Sequence, residues 1–328
     1  MVSRLLARAG VVAVAIVGTT VPVAVADGAH AHDTAVGECS PKHATIVGTD
    51  GDDAIVGTPG ADVILAKGGD DVVRGGGGRD VICLGEGNDR AHGGTGDDQI
   101  VGGAGDDDVS DSGAGFGYID GGGGADRVTS TGDFELVNGG GGADTLTVTA
   151  DYGSVVNGGG GDDTVTVSSD TAPQDALWLD GGRGADALSL TLPAAAQRAR
   201  LNQGSSSIIV FGTSGGLERW ETLALSGDIE WTYIGRNVAE SLTVDGGTLT
   251  ALMRGGDDVV QGPTGDDVIT GGDGADTLRG GAGDDILDGG ASTADELYGE
   301  DGNDIGRDAD GAAVCDSLEL GSCAAPAG

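Results

Sequence analysis

A nine-residue repeat constrains the fold of this chain more than any other feature. From Gly48 to Ser110 the sequence consists of seven consecutive nonapeptides without an insertion, beginning at Gly48, Gly57, Ala66, Gly75, Leu84, Gly93 and Gly102. Their common pattern is G-G-x-G-x-D-x-h-x, where h is an apolar residue. An uninterrupted short period predicts a solenoid, in which each repeat contacts only its neighbours.

The residue types within the repeat predict its conformation. Glycines at the first, second and fourth positions permit a tight loop with positive φ. The last three residues predict a very short strand, whose apolar eighth residue points inward. Two repeats would then form one coil of about 18 residues, and coils would stack about 4.8 Å apart. This stacking would place the sixth-position aspartates in columns.

Such columns of carboxylates require a counter-charge. Two bare carboxylates about 4.8 Å apart repel each other by roughly 1 kcal/mol even in water. Calcium is suited to this role because it accepts about 6–8 oxygen ligands in flexible geometry, whereas magnesium demands an octahedron and retains its waters. The net charge is −38 and aromatic residues make up 3% of the chain. The composition therefore favours cation partners over nucleic acid or anionic membranes, and provides little apolar surface for a core.

The repeat resembles the calcium-binding nonapeptides of RTX (repeats-in-toxin) proteins, over roughly residues 48–189 and 253–307. In RTX β-rolls each ion lies between loops of adjacent coils, held by aspartate side chains and loop carbonyls. The resemblance implies metal ligands in the first block at Asp53, Asp62, Asp71, Asp80, Asp89, Asp98 and Asp107. It implies further ligands at Asp126, Asp144, Asp163, Asp186, Asp258, Asp267, Asp276, Asp285 and Asp304, with a looser Asp295 after a one-residue insertion.

The middle of the chain keeps only half of the pattern. After Ser110 the motif survives in alternate repeats, so Asp126 to Asp186 are expected to extend one column while the other side loses its metal loops. Residues 134–137, 154–156 and 177–179 are predicted strands on that other side. Residues 190–252 carry no metal loop, and indicate either further metal-free coils or a small separate β-subdomain. The predicted fold is therefore all-β, a parallel β-roll or β-helix solenoid with a metal-free middle section.

The two ends of the chain point to export. Arg4 and Arg8 precede an apolar stretch that ends in A-x-A at residues 24–26, which predicts a secretory signal and an extracellular protein. Four cysteines in an exported chain suggest two disulfides, and spacing favours Cys39–Cys83 and Cys315–Cys323. The predicted organisation is a signal peptide (1–26), an N-terminal cap (27–47), a regular calcium β-roll (48–110), a half-degenerate β-roll (111–189), a metal-free β-helix section (190–252), a C-terminal calcium β-roll (253–307) and a C-terminal cap and tail (308–328).

The predicted function is that of an extracellular calcium-binding β-roll, structural or adhesive and not enzymatic, whose folding depends on calcium. A cell-surface or polysaccharide ligand is a further partner to consider, and membrane insertion is not expected. One alternative is a carbohydrate-acting enzyme, with a sugar cleft lined by Trp220, Glu221, Trp231, Tyr233, Arg236 and Glu240. Another is a ligand-binding face of threonines at residues 145–149 and 164–168, which resembles the face of some calcium-stabilised ice-binding solenoids.

Overall fold

The protein folds into two long, mostly parallel β-sheets that wind around one core. A computed structural model describes residues 39–113, 116–132, 134–150, 154–169, 177–193, 196, 198–202, 207–210, 213–218, 220–291, 295–307 and 314–316. These ranges contain thirty strands and no α-helix. The chain alternates between a 16-stranded sheet, sheet 1, and a 14-stranded sheet, sheet 2, over most of its length. The predicted parallel β-roll solenoid is confirmed.

The strands of each sheet follow one another along the solenoid axis. Sheet 1 contains, in spatial order, β1 (Ile46–Val47), β3 (Val63–Gly68), β5 (Val81–Glu86), β7 (Gln99–Ala104), β9 (Phe116–Gly123), β11 (Phe134–Gly141), β13 (Val155–Gly160), β15 (Trp178–Arg183), β19 (Thr213–Glu218), β18 (Ser207–Val210), β17 (Arg198–Asn202), β21 (Glu230–Ile234), β23 (Thr248–Gly255), β25 (Val268–Asp273), β27 (Ile286–Gly290) and β29 (Ile305–Arg307). Sheet 2 contains β2 (Ala54–Val56), β4 (Val72–Gly77), β6 (Arg90–Thr95), β8 (Asp108–Asp111), β10 (Arg127–Gly132), β12 (Thr145–Ala150), β14 (Thr164–Ser168), β16 (Ala187–Thr191), β20 (Thr222–Ser226), β22 (Ser241–Asp245), β24 (Val259–Gln261), β26 (Thr277–Ala282), β28 (Glu296–Asp301) and β30 (Val314–Asp316).

The register of the strands equals two repeats. Ile64 pairs with Ile82, which pairs with Ile100, so each coil in this region contains two nonapeptides. Many strands are longer than the three residues predicted: β4, for example, spans six. They run from the seventh position of one repeat into the third position of the next, because the glycine-rich start of each repeat also pairs with its neighbour in the sheet.

The core is narrow in the regular blocks and broader in the middle. In the first block the main apolar contribution is the eighth-position residue, such as Ile82 or Ile100, and both are fully buried. Strands β12, β14 and β16 each bury two apolar side chains instead, for example Leu146 and Val148 of β12. These middle coils therefore bury more apolar side chains than the coils of the regular blocks.

Residues 190–252 combine additional coils with an insertion. β20 and β22 continue sheet 2 in parallel, as the first alternative predicts. In sheet 1, β18 lies antiparallel between β17 and β19, and these two outer strands pair in parallel with β21 and β15. The insertion is thus part of sheet 1 and not a separate subdomain.

One disulfide fastens the segment before β1 to the roll. Cys39 is bonded to Cys83 of β5, with the two Cα atoms 5.8 Å apart, which confirms this predicted pairing. Cys323, the predicted partner of Cys315, lies outside the described residues. No helix within the described ranges is long and apolar enough to span a membrane.

Candidate metal centre

The glycines of each loop have two different roles. Those at the second and fourth positions have positive φ, as at Gly76 (110°) and Gly78 (108°). The first-position glycine is needed for space instead: a Cβ on Gly75 would lie only 2.5 Å from Oδ2 of Asp80. Sequence reasoning assigned positive φ to all three positions, and for the first position this was wrong. There the absent side chain makes room for a carboxylate.

The sixth-position aspartates form ladders between coils. The backbone N–H of Asp62 donates to Oδ1 of Asp80 (2.9 Å), and that of Asp80 donates to Oδ1 of Asp98 (2.9 Å). The same bond recurs along a long column that leads into the strands of sheet 2, from Asp53 through Asp71, Asp89, Asp107, Asp126, Asp144, Asp163 and Asp186 to Glu221, and again from Glu240 through Asp258 and Asp276 to Asp295. Glu221 and Glu240 are placed in this column by the register of β20 and β22. An interrupted column leads into sheet 1 and contains Asp62, Asp80 and Asp98, then Asp267, Asp285 and Asp304.

The second oxygen of most of these carboxylates is buried, and none of the described residues donates a hydrogen bond to it. This holds for Oδ2 of Asp71, Asp80, Asp89, Asp98, Asp107, Asp126, Asp144, Asp163, Asp186, Asp258, Asp267, Asp276, Asp285 and Asp304. A buried carboxylate oxygen without a partner costs about 1–3 kcal/mol or more, so a whole column of them demands compensation. The N-terminal loops differ, because Asp53 and Asp62 accept hydrogen bonds at Oδ2 from the backbone N–H groups of Thr49 and Thr58 (both 2.6 Å).

Burial raises the pKa of most column carboxyls. Desolvation is the largest cause, and neighbouring carboxylates add to it. It raises the pKa to about 7 at Asp107, Asp144, Asp258 and Asp267, and to about 6 at Asp98, Asp163, Asp276 and Asp285. In Asp62, by contrast, the hydrogen bond from the Thr58 backbone lowers the pKa. The charged form of the columns is therefore unfavourable unless a cation lies close to them.

A second, exposed ladder runs beside the buried one. Here the fifth-position residue of one coil donates its N–H to a fifth-position side chain of the preceding coil, as from Asp70 to Oδ1 of Asp52 (3.0 Å) and from Ala185 to Oδ1 of Asp162 (2.9 Å). In the buried ladder the direction of donation is reversed: the N–H donor lies in the earlier coil and the carboxylate acceptor lies in the later one. Adjacent coils are thus tied by two sets of carboxylate acceptors, of which only the inner set is buried.

The long column includes two acids that sequence reasoning did not assign to it. Glu221 accepts the N–H of Asp186 (2.8 Å), and Glu240 donates its own N–H to Asp258 (2.7 Å). A signal was present: Gly235 precedes Glu240 by the spacing that separates the first glycine from the aspartate in a repeat, and Asp258 follows 18 residues later. Because the repeat motif specifies aspartate at this position, Glu221 and Glu240 were interpreted from the sequence as surface or cleft residues.

The interrupted column lacks its aspartates where the core is broad. In the coils that follow Asp98, the equivalent position is occupied in turn by Gly117, Glu135, Ser154 and Leu177. In the two coils that precede Asp267, it is occupied by Trp231 and Leu249. Leu177, Trp231 and Leu249 are buried in the core. On this side apolar packing takes the place of the buried carboxylate ladder over part of the chain.

The residues suggested for a sugar cleft do not line one. Trp220, Trp231 and Tyr233 are fully buried and belong to the core. Arg236 contacts Glu221 (3.1 Å) and Glu240 (2.9 Å), so both carboxylates are paired with a guanidinium. The aromatic residues are therefore not available as a stacking platform for a sugar.

The donor set of the columns fits calcium. Most loops present a buried carboxylate oxygen beside closely approaching backbone carbonyls, for example Gly93 O near Gly75. Oxygen donors of this kind suit a hard cation. In the described ranges no group of three or more His, Cys, Asp or Glu side chains forms a metal cluster. An ion would thus depend on carboxylates from adjacent coils together with loop carbonyls.

We expect the metal-free protein to lose stability as the pH rises from 5 to 8. The column carboxyls have folded-state pKa values of about 6–7, above the ordinary value of 3.8. The stabilisation from their protonation is complete below that ordinary value and is lost as the pH rises through 6–7. Thermal melting by circular dichroism of demetallated, desalted protein should show a fall of roughly 10 °C. Asp144→Asn should reduce this fall, whereas Asp245→Asn, at an exposed site, should not. A melting temperature that rises toward pH 8 would contradict the assignment.

The comparison with known proteins agrees with the geometry. The family model of the RTX calcium-binding nonapeptide repeat matches the chain in four copies, at residues 47–82, 85–110, 254–287 and 290–305. A search of curated proteins finds no significant match to the chain. The matched residues comprise the glycine loops and stacked aspartates of both regular blocks. Both regular blocks of the roll are therefore similar to the RTX calcium-binding repeat family.

Proposed function

We propose that the protein is an extracellular calcium-binding β-roll, structural or adhesive, whose folding depends on calcium. The observation that carries this proposal is the row of buried Oδ2 atoms without donors along both columns. The sixteen sixth-position aspartates are the proposed ligands, with Asp295 as an additional one. For Asp53 and Asp62 the assignment depends on the family resemblance alone, because their Oδ2 atoms already accept hydrogen bonds.

Two features support an extracellular location. The Cys39–Cys83 bridge is of the kind that persists in oxidising compartments. The segment at residues 1–26 would serve as the export signal, and the remaining sections would be the cap, rolls and metal-free middle predicted from the sequence. A cell-surface or polysaccharide ligand fits an adhesive role.

A non-enzymatic role accounts best for the middle section. The aromatic residues there lie in the core, and the two glutamates continue the long column. Their pairing with one arginine leaves neither carboxylate in the separate acid and base roles that glycoside hydrolysis requires.

The first test is the effect of calcium on folding. In chelator near neutral pH the chain should have a weaker β-sheet signal and a lower melting temperature than in calcium, because its net charge of −38 and stacked carboxylates oppose compaction. At calcium ten times the dissociation constant, each ion should add about 1.4 kcal/mol to the free energy of unfolding. Far-UV circular dichroism during a calcium titration, with magnesium as the comparison ion, measures this. Identical spectra and melting temperatures in chelator and in calcium would refute the proposal.

The second test compares two neighbouring aspartates of one loop. Asp163 lies in the buried long column, whereas Asp162 is exposed and accepts a hydrogen bond in the outer ladder. Asp163→Ala should lower the calcium stoichiometry by about one ion or more, because ions are shared between adjacent coils. Asp162→Ala is the matched control and should retain the full stoichiometry. Equilibrium dialysis gives both values, and equal losses would mean that the inner column does not supply the ligands.

A threonine-rich face on sheet 2 favours a second candidate function. Thr129, Thr147 and Thr166 lie in register on β10, β12 and β14, and this column continues through Ser189, Ala224 and Thr243. Flanking columns contain mainly threonine and serine. Small outward side chains then repeat about 4.8 Å apart across strands and about 6.6–6.8 Å along them. Such a flat, regular array suits a repetitive ligand such as ice or a crystalline polysaccharide.

Thermal hysteresis with calcium present tests this second candidate. Thr147→Tyr and Thr166→Tyr should abolish any hysteresis, because each places a large ring in the middle of the flat face. Thr250→Tyr, at an exposed position of sheet 1, is the control and should leave the hysteresis unchanged. No hysteresis in the parent protein would exclude ice as the ligand.

A further inference from the structure

The long column passes through the middle section without a gap. Glu221 and Glu240 occupy the two steps between Asp186 and Asp258, and the register of β16, β20, β22 and β24 makes these steps continuous. The Glu240 carboxylate also lies against Gly235, the first residue of its loop, as the Asp276 carboxylate lies against Gly271. Glu240 is therefore the structural counterpart of the column aspartates.

A positively charged side chain lies at this point of the column. Arg236 donates from Nε to Oε1 of Glu240 (2.9 Å) and from Nη2 to Oε1 of Glu221 (3.1 Å). Nη2 also donates to the backbone carbonyl of Trp220 in the preceding coil (2.7 Å). The Glu240 side chain is fully buried and that of Arg236 is 22% exposed. One guanidinium thus contacts acids from two adjacent coils and a loop carbonyl between them.

These contacts are of the same chemical types that the proposed function assigns to an ion, namely carboxylates of adjacent coils and a loop carbonyl. Arginine remains charged at all relevant pH values, and its planar guanidinium can donate in several directions. Arg236 stands at the second position of its loop, where regular repeats have glycine. Lys67 also occupies a second position, and its Nζ donates to the carbonyl of Gly48 in the preceding coil (2.7 Å). A second-position cation reaching back one coil therefore occurs twice.

We propose that Arg236 is a resident cation that replaces a metal ion between the Glu221 and Glu240 loops and divides the long column into two separately loading arrays. This inference rests on the proposed function for the arrays on either side, from Asp71 to Asp186 and from Asp258 onward. The coils around Arg236 keep their β-structure without calcium, because their carboxylates are compensated internally and Trp220, Trp231 and Tyr233 fill the core. In the absence of calcium, the middle section then keeps its strands in register, and each array on either side can bind its ions separately.

Hydrogen exchange of the full-length chain, followed by mass spectrometry in chelator and in calcium, tests the proposal. In the parent protein, peptides from residues 220–245 should be protected in chelator, whereas those from residues 48–110 should need calcium. Arg236→Met should speed exchange of residues 220–245 in chelator about tenfold or more, because it removes the positive charge that is paired with the buried Glu240 carboxylate. Arg127→Met, which removes an exposed arginine of β10, is the charge-matched control and should leave these peptides unchanged.

A double variant separates charge compensation from packing. Arg236→Met combined with Glu240→Gln removes the cation and one negative charge together, and should restore most of the protection in chelator. Unchanged exchange in Arg236→Met, or equally fast exchange in the single and double variants, would overturn the role of Arg236. Failure of the proposed function would appear differently, as exchange of residues 48–110 in the parent that calcium does not slow.

Discussion

The structure depends on one arrangement: a buried carboxylate whose two oxygens have different roles. One oxygen accepts the backbone N–H of the aspartate in the preceding coil, as in the bond from Asp62 to Asp80, and so ties the coils together. The other faces the loop beside the first glycine and has no donor. The first role holds only if the carboxylate stays buried, and burial of its charge is costly unless a cation approaches the second oxygen. Cohesion between coils and demand for a cation are therefore inseparable.

Two kinds of contact stabilise the stacking of adjacent coils in the roll. In the regular blocks the eighth-position side chains form a narrow core, and the carboxylate ladders supply further contacts between coils. In the middle, Leu177, Trp231 and Leu249 occupy positions of the interrupted column that leads into sheet 1. Because these side chains are apolar and buried in the core, no ion is needed to compensate a charge at these positions. The two kinds of contact coexist because each contact is made only with the next coil, so one column can change its chemistry while the other continues.

Much of this could be predicted from the sequence, because the repeat places a carboxylate every 18 residues on each side of the coil. The strand lengths could not, since glycine is depleted in ordinary strands and gives no signal for pairing. The glutamates of the long column were missed because the motif specifies aspartate. The spacing of Gly235, Glu240 and Asp258 was a signal for Glu240, whereas the register of β16 and β20 places Glu221 in phase. The antiparallel insertion of β17, β18 and β19 was also missed, because the pairing of β15 with β19 bridges a long stretch of chain and leaves no local pattern.

The first coil that the structure describes shows what the ladders need where the described residues include no earlier coil. Asp62 has no column aspartate before it to donate an N–H, and the Thr45 hydroxyl donates to its Oδ1 instead (3.1 Å). Its Oδ2 accepts the backbone N–H of Thr58 (2.6 Å) and the Thr58 hydroxyl (2.8 Å). Thr49 provides the same pair of donors to Asp53. Because threonine stands where regular repeats have the second glycine, the first coil satisfies its own carboxylates and can end the solenoid. Buried Oδ2 atoms to which no described residue donates begin one coil further in, at Asp71 and Asp80, so we expect the requirement for a cation to begin there.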